Sequence, residues 1–161
     1  TNPMSSLLAP RSTRMTTMAE TATEIITIDA PHERVWKIAI DLESYPMWAH
    51  DIKDVNIRET DAEGRPLEVE FRASALGRST HYTLKYDYTN APNEMGWSML
   101  SGDIQRSIDG VWRFEPDGEG RTLVRYDLQI DLAIPLPGFV KRRAEVRILN
   151  TVRELKVRAE A

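Results

Sequence analysis

Apolar and polar residues alternate with a period of two through the middle of the chain. In "LEVEFRA" (67–73), Leu67, Val69, Phe71 and Ala73 are separated by Glu68, Glu70 and Arg72. "THYTLKYDY" (80–88) sets Tyr82, Leu84, Tyr86 and Tyr88 against His81, Thr83, Lys85 and Asp87. "VRYDLQIDL" (124–132) places Val124, Tyr126, Leu128, Ile130 and Leu132 on one parity. Shorter runs around Val55 and Ile57, around Met95, Trp97 and Met99, and around Ile108, Trp112 and Phe114 follow the same rule. Successive side chains of a strand point to opposite faces, so each run predicts a strand with one apolar and one polar face. Between them lie "DAEGRP", "ALGRS", "NAPNE", "SGD" and "PDGEG". Links this short and this rich in turn residues join antiparallel neighbours, so residues 53–132 predict a six-stranded meander.

The period changes at both ends. "TEIITIDA" (23–30) predicts a short strand, with Pro31 as the first residue of a helix, where its missing N–H costs nothing. Val35, Trp36, Ile38, Ala39, Ile40 and Leu42 continue that helix, which is expected to end before Pro46 because a proline pushes its predecessor out of the α region. The cluster Tyr45-Pro46-Met47-Trp48 at its end suits a core cap or the mouth of a pocket. After "IPLPG" (134–138), Val140, Ala144, Ile148, Val152 and Leu155 recur at steps of three and four, predicting a helix from Gly138 or Phe139 to about residue 158. Such a helix is roughly 30 Å long, about the width of six or seven strands spaced ~4.8 Å apart. One helix can therefore lie across one apolar sheet face.

A chain of 161 residues, 41% hydrophobic and 29% charged, fits a single globular domain. No apolar run approaches the roughly 20 residues that span a bilayer. The sequence has no cysteine, which excludes disulfides and thiolate ligands and fits a reducing cytoplasm. A formal charge of −4 argues against nucleic acid as a partner. Residues 139–158 nevertheless hold seven Lys or Arg against two Glu, which makes the C-terminal helix the candidate for a membrane or ribosome contact. The first 20 or so residues lack periodicity and are rich in Thr, Ser and Pro, so residues 1–22 read as a disordered tail before a domain spanning 23–158.

Candidate chemistry is sparse. No Asp, Glu, His or Lys falls on the inward strand parity. His32, His50 and His81 lack ligand spacing, and each reads as a surface residue, so no metal or other cofactor is expected. "GEG" at 118–120 reads as a hairpin turn, not a phosphate loop. The inward polar groups are the hydroxyls of Tyr82, Tyr86, Tyr88 and Tyr126. Aromatic walls carrying a few hydroxyls suit a greasy ligand with one polar end.

The pattern I-x-I-D-A-P-x-x-x-V-W at 26–36, followed by D-L-E-S-Y-P-x-W at 41–48, resembles the opening of the START-like, or polyketide cyclase/dehydrase (SRPBCC), superfamily. Members include aromatase/cyclases, coenzyme-Q-binding proteins, lipid-transfer domains and a ribosome-association factor. The resemblance implies an α+β helix-grip fold: a curved antiparallel sheet of about seven strands wrapped on the long C-terminal helix, with small helices after the first strand and a cavity between sheet and helix. It implies binding or transport of a hydrophobic small molecule of lipid, quinone or polyketide kind. A polyketide aromatase/cyclase-dehydrase is the alternative, and a ribosome- or membrane-associated module the third reading. The cavity wall is expected from Trp48, Phe71, Tyr82, Tyr86, Trp97, Met99, Trp112, Tyr126 and Leu128, with Ala144 and Ile148 from the last helix. No catalytic residue is assigned, and the lack of inward acids and bases favours a carrier.

Overall fold

The alternating runs form seven strands of one antiparallel sheet. They are β1 (Ala19–Ile28), β2 (Ile52–Thr60), β3 (Pro66–Ala75), β4 (Arg78–Asp87), β5 (Glu94–Gly102), β6 (Gln105–Pro116) and β7 (Thr122–Leu132). The computed structural model describes residues 19–75, 77–135 and 137–161, and within them the side chains of all but residues 19, 20, 139–145 and 148. Strand order is β1-β7-β6-β5-β4-β3-β2. The six-stranded meander is therefore present, and β1 closes onto its far end, with Ala22 opposite Leu128 and Ile26 opposite Val124.

That pairing begins before the domain start expected from the sequence. Residues 19–22 are strand, opposite Leu128–Asp131. They carry no apolar alternation to announce it, and it is the backbone of β7 that satisfies theirs. The rest of the expected tail, residues 1–18, lies outside the described residues.

The inward parity holds across the sheet. Val69, Phe71, Leu84, Tyr86, Met95, Trp97, Ile108, Trp112, Phe114, Val124, Tyr126 and Leu128 are all buried. The other face is ionic: Arg113 reaches Glu94 at 3.3 Å and Asp127 at 3.0 Å, and Arg125 reaches Asp127 at 2.8 Å. Such exposed pairs contribute little stability, roughly 0–1 kcal/mol each. The free edge strand β2 exposes Lys53, Asp54, Asn56 and Arg58, charge and polarity that discourage pairing with a foreign strand. Gly118 and Gly120, with φ of +76° and +74°, turn the chain between β6 and β7, as "GEG" suggested.

The helices are α1 (His32–Ile40), a 3-10 helix (Leu42–Met47) and α2 (Gly138–Glu160). Two expectations shift here. Pro31 is the cap rather than the first helical residue: its ψ of 152° is extended while its carbonyl accepts from the Arg34 and Val35 N–H groups. The α-helix also stops at Ile40, well before Pro46. Asp41 leaves helical geometry (φ −85°, ψ 69°), and the chain restarts as a tighter turn that accommodates the proline.

Val152, Leu155 and Ala159 of α2 are buried, while Val146 and Val157 face away. The helix is fastened at several points. Arg34 of α1 donates from Nε to the Ala159 carbonyl at 2.7 Å and from Nη2 to the Ala161 carbonyl at 3.3 Å. Those carbonyls have no partner within the helix, and the cation also meets the negative end of its dipole. The Asp29 N–H donates to Glu160 at 2.7 Å, and Lys156 donates to the Thr27 carbonyl at 3.1 Å. Arg147 pairs with Asp51, Arg153 with Glu24 and His50 with Glu154. Much of the described basic charge on α2 is thus spent within the fold. Among the described residues no helix is long and apolar enough to cross a membrane.

Candidate functional site

The five tyrosines of the chain all lie on the inner side of the sheet or beneath α1. Tyr82, Tyr86 and Tyr88 come from one parity of β4 and its end, with Leu84 between the first two, and Tyr126 comes from β7. Tyr45 comes from the 3-10 helix and folds back under α1, donating to the Ala39 carbonyl at 2.6 Å. Tyr88 donates to the Pro66 carbonyl at 2.6 Å, with the Arg65 guanidinium 4.6 Å above its ring. The hydroxyls of Tyr82, Tyr86 and Tyr126 have no hydrogen-bond partner among the described residues.

Burial pushes all five phenols above the ordinary tyrosine range. Mutual repulsion adds to the shift: Tyr82 acts on Tyr126, and Tyr45, Tyr82, Tyr88 and Tyr126 act on Tyr86. Tyr86 is thus the phenol nearest the other four, and each of the five stays a neutral group at physiological pH.

Seven aromatic rings are joined by contacts into a closed circuit. Tyr86 meets Trp97 (centroids 5.9 Å apart), Trp97 meets Tyr126 (5.8 Å), Tyr126 meets Trp112 (4.3 Å) and Trp112 stacks on Phe114 (5.9 Å). Phe114 meets Trp36 of α1 edge-on (5.9 Å), Trp36 meets Tyr88 (6.4 Å), and Tyr88 stacks back on Tyr86 (6.4 Å). Met95 is fully buried on β5, directly opposite Trp112. Phe71 stacks on Tyr82 at 5.4 Å, and Trp48 packs on Tyr45 at 4.6 Å.

The residues expected on the wall are thus distributed as follows. Tyr86, Trp97, Trp112 and Tyr126 belong to the circuit. Phe71 and Tyr82 form a pair beside it, Leu128 is buried opposite Gly110, and Met99 is half-buried on the inner face. Trp48 is buried, as its place after Pro46 suggested, but Met47 beside it is 70% exposed. Ala144 and Ile148 fall on α2, and their side chains lie outside the described residues. Trp36, Tyr45 and Tyr88 complete the cluster without having been on the expected wall. Trp36 and Tyr45 come from helices, where strand parity says nothing.

A second, polar group was also missed. Thr80 and Gln105 are buried, at 1% and 9% exposure, at the end of the sheet where the β3–β4 and β5–β6 links lie. Thr80 shares the parity of Tyr82, but a threonine carries no strong signal. Gln105 precedes a register shift in β6, so parity counted back from Ile108 misplaces it.

His32 departs from expectation as well. Its ring is half-buried, 6.4 Å edge-on from Phe114, and its Nε2 is enclosed without a partner among the described residues. It starts α1, whose inner turn lies against β6. His50 and His81 are exposed, as expected. No group of three or more metal-ligating side chains occurs among the described residues. An open depression of about 720 Å³ runs across β4 and β5, lined by the charged Asp61, Arg65, Lys85 and Asp87 and also by Tyr86, Tyr88 and Trp97 of the aromatic circuit.

Residues 17–158 match the sequence profile of the family described as "Polyketide cyclase / dehydrase and lipid transport". The fold superposes on a START superfamily protein from Mycobacterium smegmatis with a TM-score of 0.79 and 24% identity, covering 87% of this chain and 97% of that one. The Zhui aromatase/cyclase from Streptomyces sp. R1128 gives a TM-score of 0.74 at 16% identity, covering 88% and 94% of the two chains. A protein of Thermus thermophilus gives 0.74 at 21% identity, covering 87% and 97%. At these identities the likeness is one of fold. No curated protein matches the sequence.

Proposed function

Since the chain belongs to the polyketide cyclase / dehydrase and lipid transport family, we propose that it binds or carries an apolar small molecule, of lipid, quinone or polyketide kind, between the inner sheet face and α2. The observation that carries this reading is the set of three inward phenols, on Tyr82, Tyr86 and Tyr126, with no partner among the described residues. A tightly packed core pairs its hydroxyls, because an unpaired buried one costs about 1–3 kcal/mol. Tyr82 adds to the argument. It is half-buried on the inner face, stacked on Phe71, with its phenol pushed up by burial.

Such a site works by area and by a few donors. Burying a guest's apolar surface contributes roughly 25 cal/mol per Å², enough for micromolar affinity once the cost of immobilising it is met. The phenols would then fix the guest's polar end. Among the described residues the inner strand positions carry no carboxylate, imidazole or amine, and burial keeps the phenols protonated, so the sheet face offers donors and no general base; the one imidazole near it is that of His32, beside Phe114. This favours a carrier over a catalyst.

The test is mass spectrometry of the organic extract of purified protein, followed by titration of the recovered compound against tryptophan fluorescence. Saturable quenching is expected, because Trp97 and Trp112 sit within the aromatic circuit. An extract without any bound apolar compound, together with unquenched tryptophans, would sink the reading. A polyketide aromatase/cyclase is the second reading, resting on the same phenols as positioning groups. Turnover of a poly-β-ketone that disappears in Tyr82→Phe or Tyr126→Phe would put it first.

A further inference from the structure

α2 is fastened along its two flanks by different means. On the flank facing β1, Arg153 pairs with Glu24 at 3.6 Å, Lys156 donates to the Thr27 carbonyl and Glu160 accepts from the Asp29 N–H. Beside that row the side chains of Val152, Leu155 and Ala159 are buried, and Arg34 of α1 holds the terminal carbonyls. The opposite flank carries Arg147 and Glu154, seven residues apart and so about two turns along one face. Arg147 donates to both carboxylate oxygens of Asp51, from Nε at 3.3 Å and from Nη2. His50 Nδ1 lies 2.7 Å from Glu154, whose carboxylate also accepts from the His50 N–H at 3.3 Å.

These two contacts join α2 to a segment that the sheet holds in place. The Asp51 carbonyl accepts from the Ser74 N–H of β3 at 2.8 Å, and Trp48 and Ala49 just before it are buried. The side chains of Arg147 and His50 are 63% and 82% accessible, and exposed ion pairs are weak and screened by salt. The seam they close leads inward. Ile52, the next residue, is only half-buried against the core, and so is Tyr82. The Tyr82 phenol is pushed up first by burial and then by the Asp51 carboxylate, which places the seam within electrostatic reach of the inner wall.

We propose that guests enter and leave the interior through this seam between α2 and residues 50–52, with Arg147–Asp51 and His50–Glu154 as its latch and the β1 flank as the hinge. The inference rests on the apolar-guest reading above. The flank along β1 cannot part without exposing Val152, Leu155 and Ala159 to water. The latch can, because its charged groups exchange one another for solvent. It sets the rate of passage and leaves the affinity to the aromatic interior.

The experiment follows N-phenyl-1-naphthylamine, a neutral apolar dye that brightens on leaving water, mixed rapidly with the full chain. Arg147→Met is expected to raise its association and dissociation rates together, each about fivefold, and to leave Kd within about twofold. Arg153→Met, on the other flank, should alter neither rate. The chain has no cysteine of its own, so a short bismaleimide can bridge Asp51→Cys to Arg147→Cys, or Glu24→Cys to Arg153→Cys. The first bridge should slow dye exchange by about tenfold or more, and the second should leave it unchanged. Wild-type rates in Arg147→Met, an ineffective first bridge or a blocking second bridge would each overturn the inference, while saturable dye binding keeps the apolar-guest reading. If the dye does not bind the wild-type chain, both fall.

Discussion

The Trp97 indole lies over Gly110, its cross-strand partner on β6. A Cβ at Gly110 would sit 2.5 Å from the indole Cε2 and 2.7 Å from Nε1, so the ring occupies the space a side chain would need. Gly110 thereby lets Trp97 lie flat along the sheet between Tyr86 and Tyr126.

Gly110→Ala should tilt that ring out of the circuit. Overpacking of this kind costs about 1–3 kcal/mol, read as a lower urea midpoint. The near-ultraviolet circular dichroism of the tryptophans should change with it. A variant with unaltered tryptophan dichroism would show that the indole had room to spare.

The tyrosines should divide into two classes on removal of a hydroxyl. Tyr45→Phe deprives the buried Ala39 carbonyl of its side-chain donor and should cost about 1–2 kcal/mol. Tyr82→Phe removes a hydroxyl with no partner among the described residues and should stay within about 0.5 kcal/mol of wild type. Equal losses in denaturant melts would mean that Tyr82 is paired after all.

This division also shows what the sequence made legible. The parity of β4 placed Tyr82, Tyr86 and Tyr88 inside correctly, because a two-residue period is a local property of backbone geometry. The same argument could not find Trp36 or Tyr45, which reach the cluster from helices whose orientation is set by packing. It failed at Gln105 because one extra residue in the ladder reverses the parity behind it. It also missed residues 19–22, whose strand state comes from β7 and not from their own composition. The enclosed Nε2 of His32 was hidden for a related reason. A histidine at a helix start looks solvated until the strand beneath it is known.

Alkaline pH should unfold the protein cooperatively. All five phenols titrate above their ordinary value in the folded chain, burial being the main cause. Below pH about 10 both states keep these protons and the tyrosines give no pH dependence. Above it the unfolded chain ionises first, so stability falls as pH rises, by up to about 1.4 kcal/mol per pH unit for each tyrosine. Phenolate absorbance should therefore appear together with the loss of far-ultraviolet dichroism. Tyrosines that ionise in a still-folded chain would contradict the burial.

Arg34→Met should loosen the end of α2. The variant leaves the Ala159 carbonyl without its 2.7 Å donor and removes a cation from the helix terminus. A loss of about 1–2 kcal/mol is expected, with faster amide hydrogen exchange confined to the last turns of the helix. Arg34→Lys should recover only part of it, because an ammonium cannot reach several carbonyls with a planar fork. Unchanged exchange in those turns would show that burial of Leu155 and Ala159 alone holds the end.

The closure of β1 onto β7 carries a consequence for how the protein comes into being. Thr23 meets Asp127 across 104 residues, and Arg34 meets the Ala159 carbonyl across 125. Contacts this distant in the chain form late and slowly, since their ends must find each other through most of the sequence. During synthesis the first strand waits for the seventh, and the aromatic interior has no cover until residues 138–160 have been made. An enclosed interior is therefore a property of the finished chain only, and on the proposed carrier function loading would have to follow the closing of these late joints.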